Sequence, residues 1–288
     1  MLNWLLKMAG AGDSPDAEQA RPRPCCSLPN DPELFWAMDN IPVDAAVTHF
    51  AVIGAPGSGK TVSIELFLQS IAHRFMAPPP GAPPERLVIF DPKRDMLSFL
   101  AALGLQGDSV SILNPFDERG IAWDLARDIN SEALAQHFAA LLIPEEKQSS
   151  APFFWQSARE VVEAVILGLI ASHPGKWTLR DLLNALATTE RIAAITSRSH
   201  KAKLKADRFL LDKAHFPAIL SSIASKVGKF EVIAALWHNA TNRETFSVEK
   251  WLNGHGVLVL GNHPNFRESI APINSLLLRV LSGHLLTG

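Results

Sequence analysis

The sequence predicts an α/β fold, a parallel sheet flanked by helices and interrupted by an inserted all-α domain. Three observations predict it. The octapeptide "GAPGSGKT" (54–61) stands between an apolar, β-branched run and a helical pattern. Strand-like and helix-like segments alternate up to about residue 128. Beyond it, roughly a hundred residues carry helical periodicity alone, more than a connecting loop would use, before a strand-like run returns.

The elements follow in order. Residues 10–33, rich in Ala, Pro, Asp and Ser, belong to a flexible N-terminal leader expected over 1–45. "VTHFAVIG" (47–54) suits a buried strand. "TVSIELFLQSIAHRF" places Ile64, Leu68 and Ile71 on one helical stripe with Phe67 beside it. "MAPPPGAPPE" breaks that helix. "RLVIF" (86–90) is a second strand, "DMLSFLAALG" a helix closed by Gly104, and "SVSIL" (109–113) a third strand. This alternation defines the first part of the α/β domain, 46–128. "SEALAQHFAALLI", "FFWQSAREVVEAVILGLIAS", "TLRDLLNALA" and "ERIAAITS" are helical and fill an insertion over 129–245. "GVLVLG" (256–261) returns to a buried strand and "SIAPINSLLLRVLSGHLL" to a helix, giving an incomplete second part over 246–288.

The octapeptide carries the chemistry. Gly54, Gly57 and Gly59 let the backbone wrap tightly, so that with Ala55, Pro56 and Ser58 its amides turn toward phosphate oxygens. Lys60 reaches the β- and γ-phosphates as the catalytic cation, and the Thr61 hydroxyl ligates Mg²⁺. The helix that follows directs its positive end at the same anion. Residues 46–128 therefore open a P-loop nucleotide-binding domain. Such a loop needs an acidic partner on a neighbouring strand, and two readings stand. Asp91, at the end of "RLVIFD", is that partner in a compact nucleotide-binding core. Alternatively Asp91 has another role, and the acids lie later in the chain. "GVLVLGNH" offers no acid, and Glu268 falls in the loop before the last helix.

Composition narrows the remaining classes. The 288 residues carry a net charge of -2, which excludes coating of nucleic acid through bulk charge but not through local basic segments. The only cysteines are the adjacent Cys25 and Cys26, too few for a disulfide framework and consistent with a reducing, cytoplasmic setting. No apolar run of about 18 residues exists to span a membrane. "MLNWLLKMAGAG" lacks the basic start of a signal peptide. The ten histidines form no HExxH spacing.

Five segments, in order, carry a resemblance: "GAPGSGKT", "VIFDPKRD", "ILNPFDERGIAWDLARDI", "FFWQSARE" and "FSVEKWLNGHGVLVLG". From about residue 48 onward the chain resembles the type IV coupling proteins, the DNA-translocating ATPases of bacterial conjugation and type IV secretion. The resemblance implies a RecA-like P-loop NTPase domain interrupted by an all-α domain, with ATP and Mg²⁺ as cofactors. It implies DNA as a partner, single-stranded and bound without sequence preference, together with a relaxase–DNA complex and the secretion channel. It further implies a ring, hexameric when complete, at the cytoplasmic face of the bacterial inner membrane. In that family the second strand carries an Asp-Pro-Lys signature, matched by Asp91 and Lys93, while an Asp-Glu pair lies on a later strand. The acidic partner is then expected outside these 288 residues, in a chain truncated before that strand and inactive in hydrolysis by itself. Two departures stand out: Arg94 replaces the usual glycine after Asp-Pro-Lys, and the N-terminal membrane anchor common in the family is not expected within these 288 residues. The alternative functions are a nucleotide-binding switch that uses Asp91 for Mg²⁺, or a non-catalytic interaction protein.

One basic segment remains. Between Arg191 and Lys229, Arg198, Lys201, Lys203, Lys205, Arg208, Lys213, Lys226 and Lys229 stand against Asp207 and Asp212. By composition this is a solvated helical face. In a DNA motor it would track phosphates, which makes Lys201, Lys203 and Lys205 the candidate DNA contacts. Phe153, Phe154 and Trp155 read as helix-core anchors. "NPFDERG" reads as a turn, with Arg119 a candidate at a subunit boundary.

Overall fold

The computed structural model describes residues 34–36, 39–41, 50–76, 84–145, 152–240 and 244–287. The chain divides into two compact units, 1–73 and 74–288. Most of the leader expected over 1–45 lies outside the described residues.

In the first unit, β1 (Leu34–Trp36) and β2 (Asp39–Ile41) pair antiparallel, with Leu34 opposite Ile41 and Trp36 opposite Asp39. A hairpin thus stands where a flexible leader was expected, because the run rich in Pro, Ala and Ser ends before the strand-forming Leu34-Phe35-Trp36. Helix α1 (Lys60–Ile71) packs beside β1. It buries Leu68 and Ile71 but leaves Ile64 exposed, so only part of the predicted stripe is covered. The strand expected over 47–54 is not formed in its described part. Residues 50–54 have irregular backbone, and Ile53 is 88% exposed. An apolar β-branched run becomes a strand only where a neighbouring edge completes its hydrogen bonds, and residues 50–54 pair with no strand among the described residues.

In the second unit, β3 (Arg86–Asp91) leads through α2 (Met96–Ala102) to β4 (Val110–Leu113). Helix α2 stops as expected before Gly104, whose amide donates to the Ala101 carbonyl at 3.0 Å. The last strand, β5 (Gly256–Gly261), enters between the other two and pairs parallel with both, Val88 opposite Leu258 and Ile112 opposite Val259. Flanked on both edges, "GVLVLG" is buried along its whole length, which is why it is apolar throughout. Helix α12 (Arg267–Thr287) follows it.

Between β4 and β5 the chain is helical: α3 (Leu125–Asp128), α4 (Glu132–Leu142), α5 (Pro152–Ser172), α6 (Leu179–Ala185), α7 (Thr189–Thr196), α8 (His200–Leu210), α9 (Phe216–Val227), α10 (Glu231–Ala240) and α11 (Val248–Leu252). Hydroxyl side chains fix several starts. Ser131, Thr188, Ser199 and Ser247 each accept from an amide three residues on, and Thr178 forms a full capping box with Asp181. Helix α5 is the axis. Its Val161, Val162, Val165 and Ile166 are fully buried, and α4, α7, α8 and α9 pack around it. The apolar core runs without a break from these helices into Leu113, Leu258 and Leu260 of the sheet and Leu276 and Leu277 of α12.

The chain leaves and re-enters the sheet layer at one place. The Asp124 amide donates to the Phe246 carbonyl at 2.7 Å, and the Phe246 amide to the Ala122 carbonyl at 2.8 Å. Beside this bridge, buried Asp128 accepts the Trp123 indole N–H at 2.6 Å and the Val248 amide at 2.8 Å on one oxygen, and the Ser247 hydroxyl at 3.2 Å on the other.

Candidate functional site

The loop 54–59 closes on itself before α1 begins. The Ser58 amide donates to the Ala55 carbonyl at 3.2 Å. Gly57 and Gly59 have φ of 78° and 83°, with nothing within 4 Å of where a side chain would start. Their glycine requirement is therefore conformational rather than steric. Gly54 is different: a Cβ there would stand 2.4 Å from the Ser58 hydroxyl.

Lys60 and Thr61 are the first two residues of α1. The Lys60 ammonium folds back over the loop, donating to the carbonyls of Gly54 at 3.0 Å and Ala55 at 2.7 Å. Gly59, at the N-cap, offers no side-chain acceptor to the first-turn amides. The loop thus brings together a lysine, a hydroxyl and a helix start with uncapped N–H groups, a donor set suited to an anion. All eight predicted loop residues share this one turn.

Asp91 is bonded within its own turn. It is buried at the C-terminal end of β3, where its Oδ1 accepts the Arg94 amide at 2.8 Å and its Oδ2 the Met96 amide at 3.1 Å. Its carboxyl ties the strand end to the start of α2. Arg94 sits at φ 65°, the only positive φ off glycine among the described residues. The turn that the family pattern fills with glycine is therefore kept, in a conformation that costs an L-residue about 1–2 kcal/mol. Lys93 is exposed beside it.

After β4, "NPFDERG" closes as a self-bonded turn. Asn114 Oδ1 accepts the Phe116 amide, and the Gly120 amide donates to the Asp117 carbonyl at 2.8 Å. A Cβ on Gly120 would lie 2.3 Å from the Asn114 carbonyl oxygen. The Arg119 guanidinium grips Asp117 with Nε at 2.9 Å and Nη2 at 2.8 Å, and this pairing holds the Asp117 carboxyl below its ordinary range. Arg119 is thus engaged within its own loop.

The three candidate DNA-contact lysines lie on α8, and each has an acidic neighbour. Lys201 pairs with Glu132 of α4, and Lys205 with Glu163 of α5 at 2.8 Å. Lys203 lies 3.9 Å from Asp207, one turn on. Arg208 extends the interhelical series to Glu160 at 3.2 Å. One stripe of α8, Lys201, Lys205 and Arg208, is therefore turned toward an acidic stripe instead of being wholly solvated. Sequence reading missed Glu132, Glu160 and Glu163, whose helical spacing along α4 and α5 was the available signal. It also missed Asp128, which composition presents only as a helix end.

Among the described residues no group of His, Cys, Asp and Glu is placed to hold a metal ion, and no helix is long and apolar enough to cross a membrane.

Comparison with known proteins extends this geometry. Coupling protein TraD of Escherichia coli (strain K12) is 21% identical over 299 residues, covering 97% of this chain and 38% of TraD. The unbound conjugative coupling protein TrwBdeltaN70 superposes with a TM-score of 0.62 at 21% identity, over 89% of this chain and 56% of that one. TrwB in complex with ADP and Mg²⁺ gives 0.59 at 22% identity, over 87% and 55%. The chain thus spans well under half of TraD and just over half of the TrwB structures. These likenesses establish the fold as α/β and RecA-like, a parallel sheet flanked by helices. The profile of the type IV secretion-system coupling protein DNA-binding domain matches residues 36–287. With that match running over most of its length, the chain belongs to the coupling protein family.

Proposed function

We propose that the chain is the nucleotide-binding motor portion of a coupling protein that drives DNA toward a conjugation or type IV secretion channel. The observation that carries this reading is the turn 54–61, in which Gly57 and Gly59 are left-handed and Lys60 and Thr61 open α1. TrwB, similar in fold, has been solved with ADP and Mg²⁺ and with an ATP analogue, which supports ATP and Mg²⁺ as the ligands here. The residues fit that pair: an ammonium within reach of the loop, a hydroxyl for the metal and a helix start with free amides. Bound Mg²⁺–ATP supplies the phosphoryl group and the divalent charge. Lys60 leaves the Gly54 and Ala55 carbonyls to hold the terminal phosphates, and the loop amides stabilise charge that develops on them.

The DNA contact is assigned to the two more exposed of the three α8 lysines. Lys203, and Lys201 despite its pairing with Glu132, are each more than half exposed, whereas Lys205 is held against Glu163. Binding at this rim is electrostatic and indifferent to sequence. The working assembly is a ring, hexameric by family resemblance, at the cytoplasmic face of the inner membrane.

The test is calorimetry with Mg²⁺–ATP, alongside a phosphate-release assay with and without single-stranded DNA. Lys60→Ala abolishes nucleotide binding in this reading, because it removes the side-chain cation of the loop. Nucleotide affinity unchanged by Lys60→Ala would overturn it. Nucleotide-dependent binding of a protein partner, with no influence of DNA on affinity or turnover, would favour the switch.

A further inference from the structure

We infer that the helical insertion carries a docking groove for an acidic, amphipathic helical segment of a partner protein. The groove is a cleft of about 500 Å³ between the C-terminal end of α5, the 173–178 connection, α6 and α7. It lies within the usual range for ligand pockets, about 300–1,000 Å³. Its wall is set by a close approach: a Cβ on Gly168 would stand 2.6 Å from the Ile195 carbonyl oxygen, so glycine lets α7 lie directly on α5.

Floor and rim differ in chemistry. The floor is aliphatic, from Leu169, Ala185, Ala194 and Ile195. The rim carries two exposed cations, Lys176 and Arg191, and neither has a carboxylate within ion-pair distance among the described residues. Arg191 donates from Nη1 to the Asn184 carbonyl at 3.2 Å, which holds its guanidinium at the mouth of the cleft. Asp181, the acid that lines the cleft, is committed to the capping box, its Oδ2 accepting the Thr178 amide at 2.9 Å and hydroxyl at 2.7 Å. Glu190, beside Arg191, is held by Thr188 and its own backbone amide.

An apolar floor under a rim with two cations, against the single carboxylate of Asp181, selects an occupant with apolar side chains on one stripe and carboxylates beside it. That is the pattern of an amphipathic helix laid into a groove. A nucleic-acid strand fits less well. Its bases need a free, accessible ring; Trp177 is only 2% exposed, and the exposed His173 ring is bonded through Nδ1 to the Ser172 hydroxyl at 2.8 Å. The site stands apart from the nucleotide reading and requires none of the loop residues.

The probe is a fluorescein-labelled synthetic helix with Leu at i, i+3, i+4 and i+7 and Glu on the flanks, followed by anisotropy against the whole chain. A peptide with Lys in place of Glu, and oligo(dT), are the comparison ligands. The acidic peptide binds saturably and the basic one does not. The double variant Lys176→Glu/Arg191→Glu weakens binding by about tenfold or more, as does Ala194→Trp, which fills the floor from an exposed position. Thermal melts of both variants match the parent. Absence of saturable binding by the acidic peptide, or equal binding to parent and variants, overturns the inference. Loss of oligo(dT) binding in the charge-reversed variant, without loss of peptide binding, would assign the rim to DNA instead.

Discussion

The amide of Arg94 donates to Oδ1 of Asp91 at 2.8 Å, from a left-handed backbone with φ of 65°. Two effects compete in Arg94→Gly: relief of about 1–2 kcal/mol of left-handed strain, against about 0.5–1 kcal/mol of extra chain entropy for glycine. Urea denaturation should therefore show a protein as stable as the parent or slightly more so. Arg94→Val, branched at Cβ, should lose stability. Asp91→Ala should cost about 2–3 kcal/mol, since it strands two amides near the buried strand end. Nucleotide affinity in Asp91→Asn should match the parent, because both oxygens serve the turn. A selective loss of Mg²⁺–nucleotide affinity in Asp91→Asn would return this residue to the metal.

Local signals were legible and long-range pairings were not. "RLVIF", "SVSIL" and "GVLVLG" announce strands because apolar β-branched runs end at breakers, and the hydroxyls of Ser131 and Thr178 mark helix starts. The phosphate turn is local too, its conformation written in its own glycines. The placement of β5 between β3 and β4 depends on pairing across the whole insertion, which no window of sequence contains. "VTHFAVIG" shows the same limit from the other side, since its composition cannot reveal whether an edge waits for it. The lysines of α8 mislead for this reason as well. Glu163 and Glu132 lie 42 and 69 residues upstream of Lys205 and Lys201, and only packing of α8 against α5 and α4 brings them together.

The α8 lysines should separate into two classes. Glu163 has 6% of its side chain exposed and Lys205 27%, so Lys205→Ala leaves a carboxylate in a largely dry seam. Its loss should cost about 2 kcal/mol, below the about 3–5 kcal/mol of a fully buried pair because Lys205 is partly wet. The affinity of DNA at fixed salt should barely change. Lys201→Ala/Lys203→Ala should leave the melting temperature within a degree or two while flattening log affinity against log salt by about 0.7–0.9 units per lost phosphate contact. An unchanged slope in that double variant would remove α8 from the DNA interface.

Asp117 offers a test by pH. Arg119 holds its carboxyl below the ordinary 3.8, chiefly by the side-chain hydrogen bonds. A depressed folded-state pKa contributes stability that is fully present above the unfolded value and is lost as pH falls through the folded one. The contribution should therefore be intact at neutral pH and fade only below 3.8. Arg119→Ala should move the Asp117 titration upward, followed by the carboxyl carbon shift in NMR. A titration that stays depressed in Arg119→Ala would mean that the loop amides, not the guanidinium, hold the charge.

The junction of the insertion rests on Asp128, and its variants should differ by kind. Two N–H donors, from Trp123 and Val248, meet its Oδ2, while Oδ1 faces the Ser247 hydroxyl. Asp128→Asn can keep its carbonyl oxygen toward the two N–H groups and turn its amide to the hydroxyl, which accepts as well as donates. It should cost about 1 kcal/mol or less. Asp128→Ala offers no acceptor, leaves the Trp123 indole and the Val248 amide unpaired in a buried place, and should cost about 3 kcal/mol. Buried indoles without an acceptor are tolerated elsewhere, at Trp155, Trp177, Trp237 and Trp251 among the described residues. The larger part of the Asp128→Ala cost should therefore come from the backbone amide that starts α11. Trp123→Phe, which removes one donor and leaves Val248 paired, should cost less than Asp128→Ala in the same urea titration. Losses well under about 1 kcal/mol in both Asp128→Asn and Asp128→Ala would show that the junction is held by packing of Trp123 and Phe246 rather than by this carboxyl group.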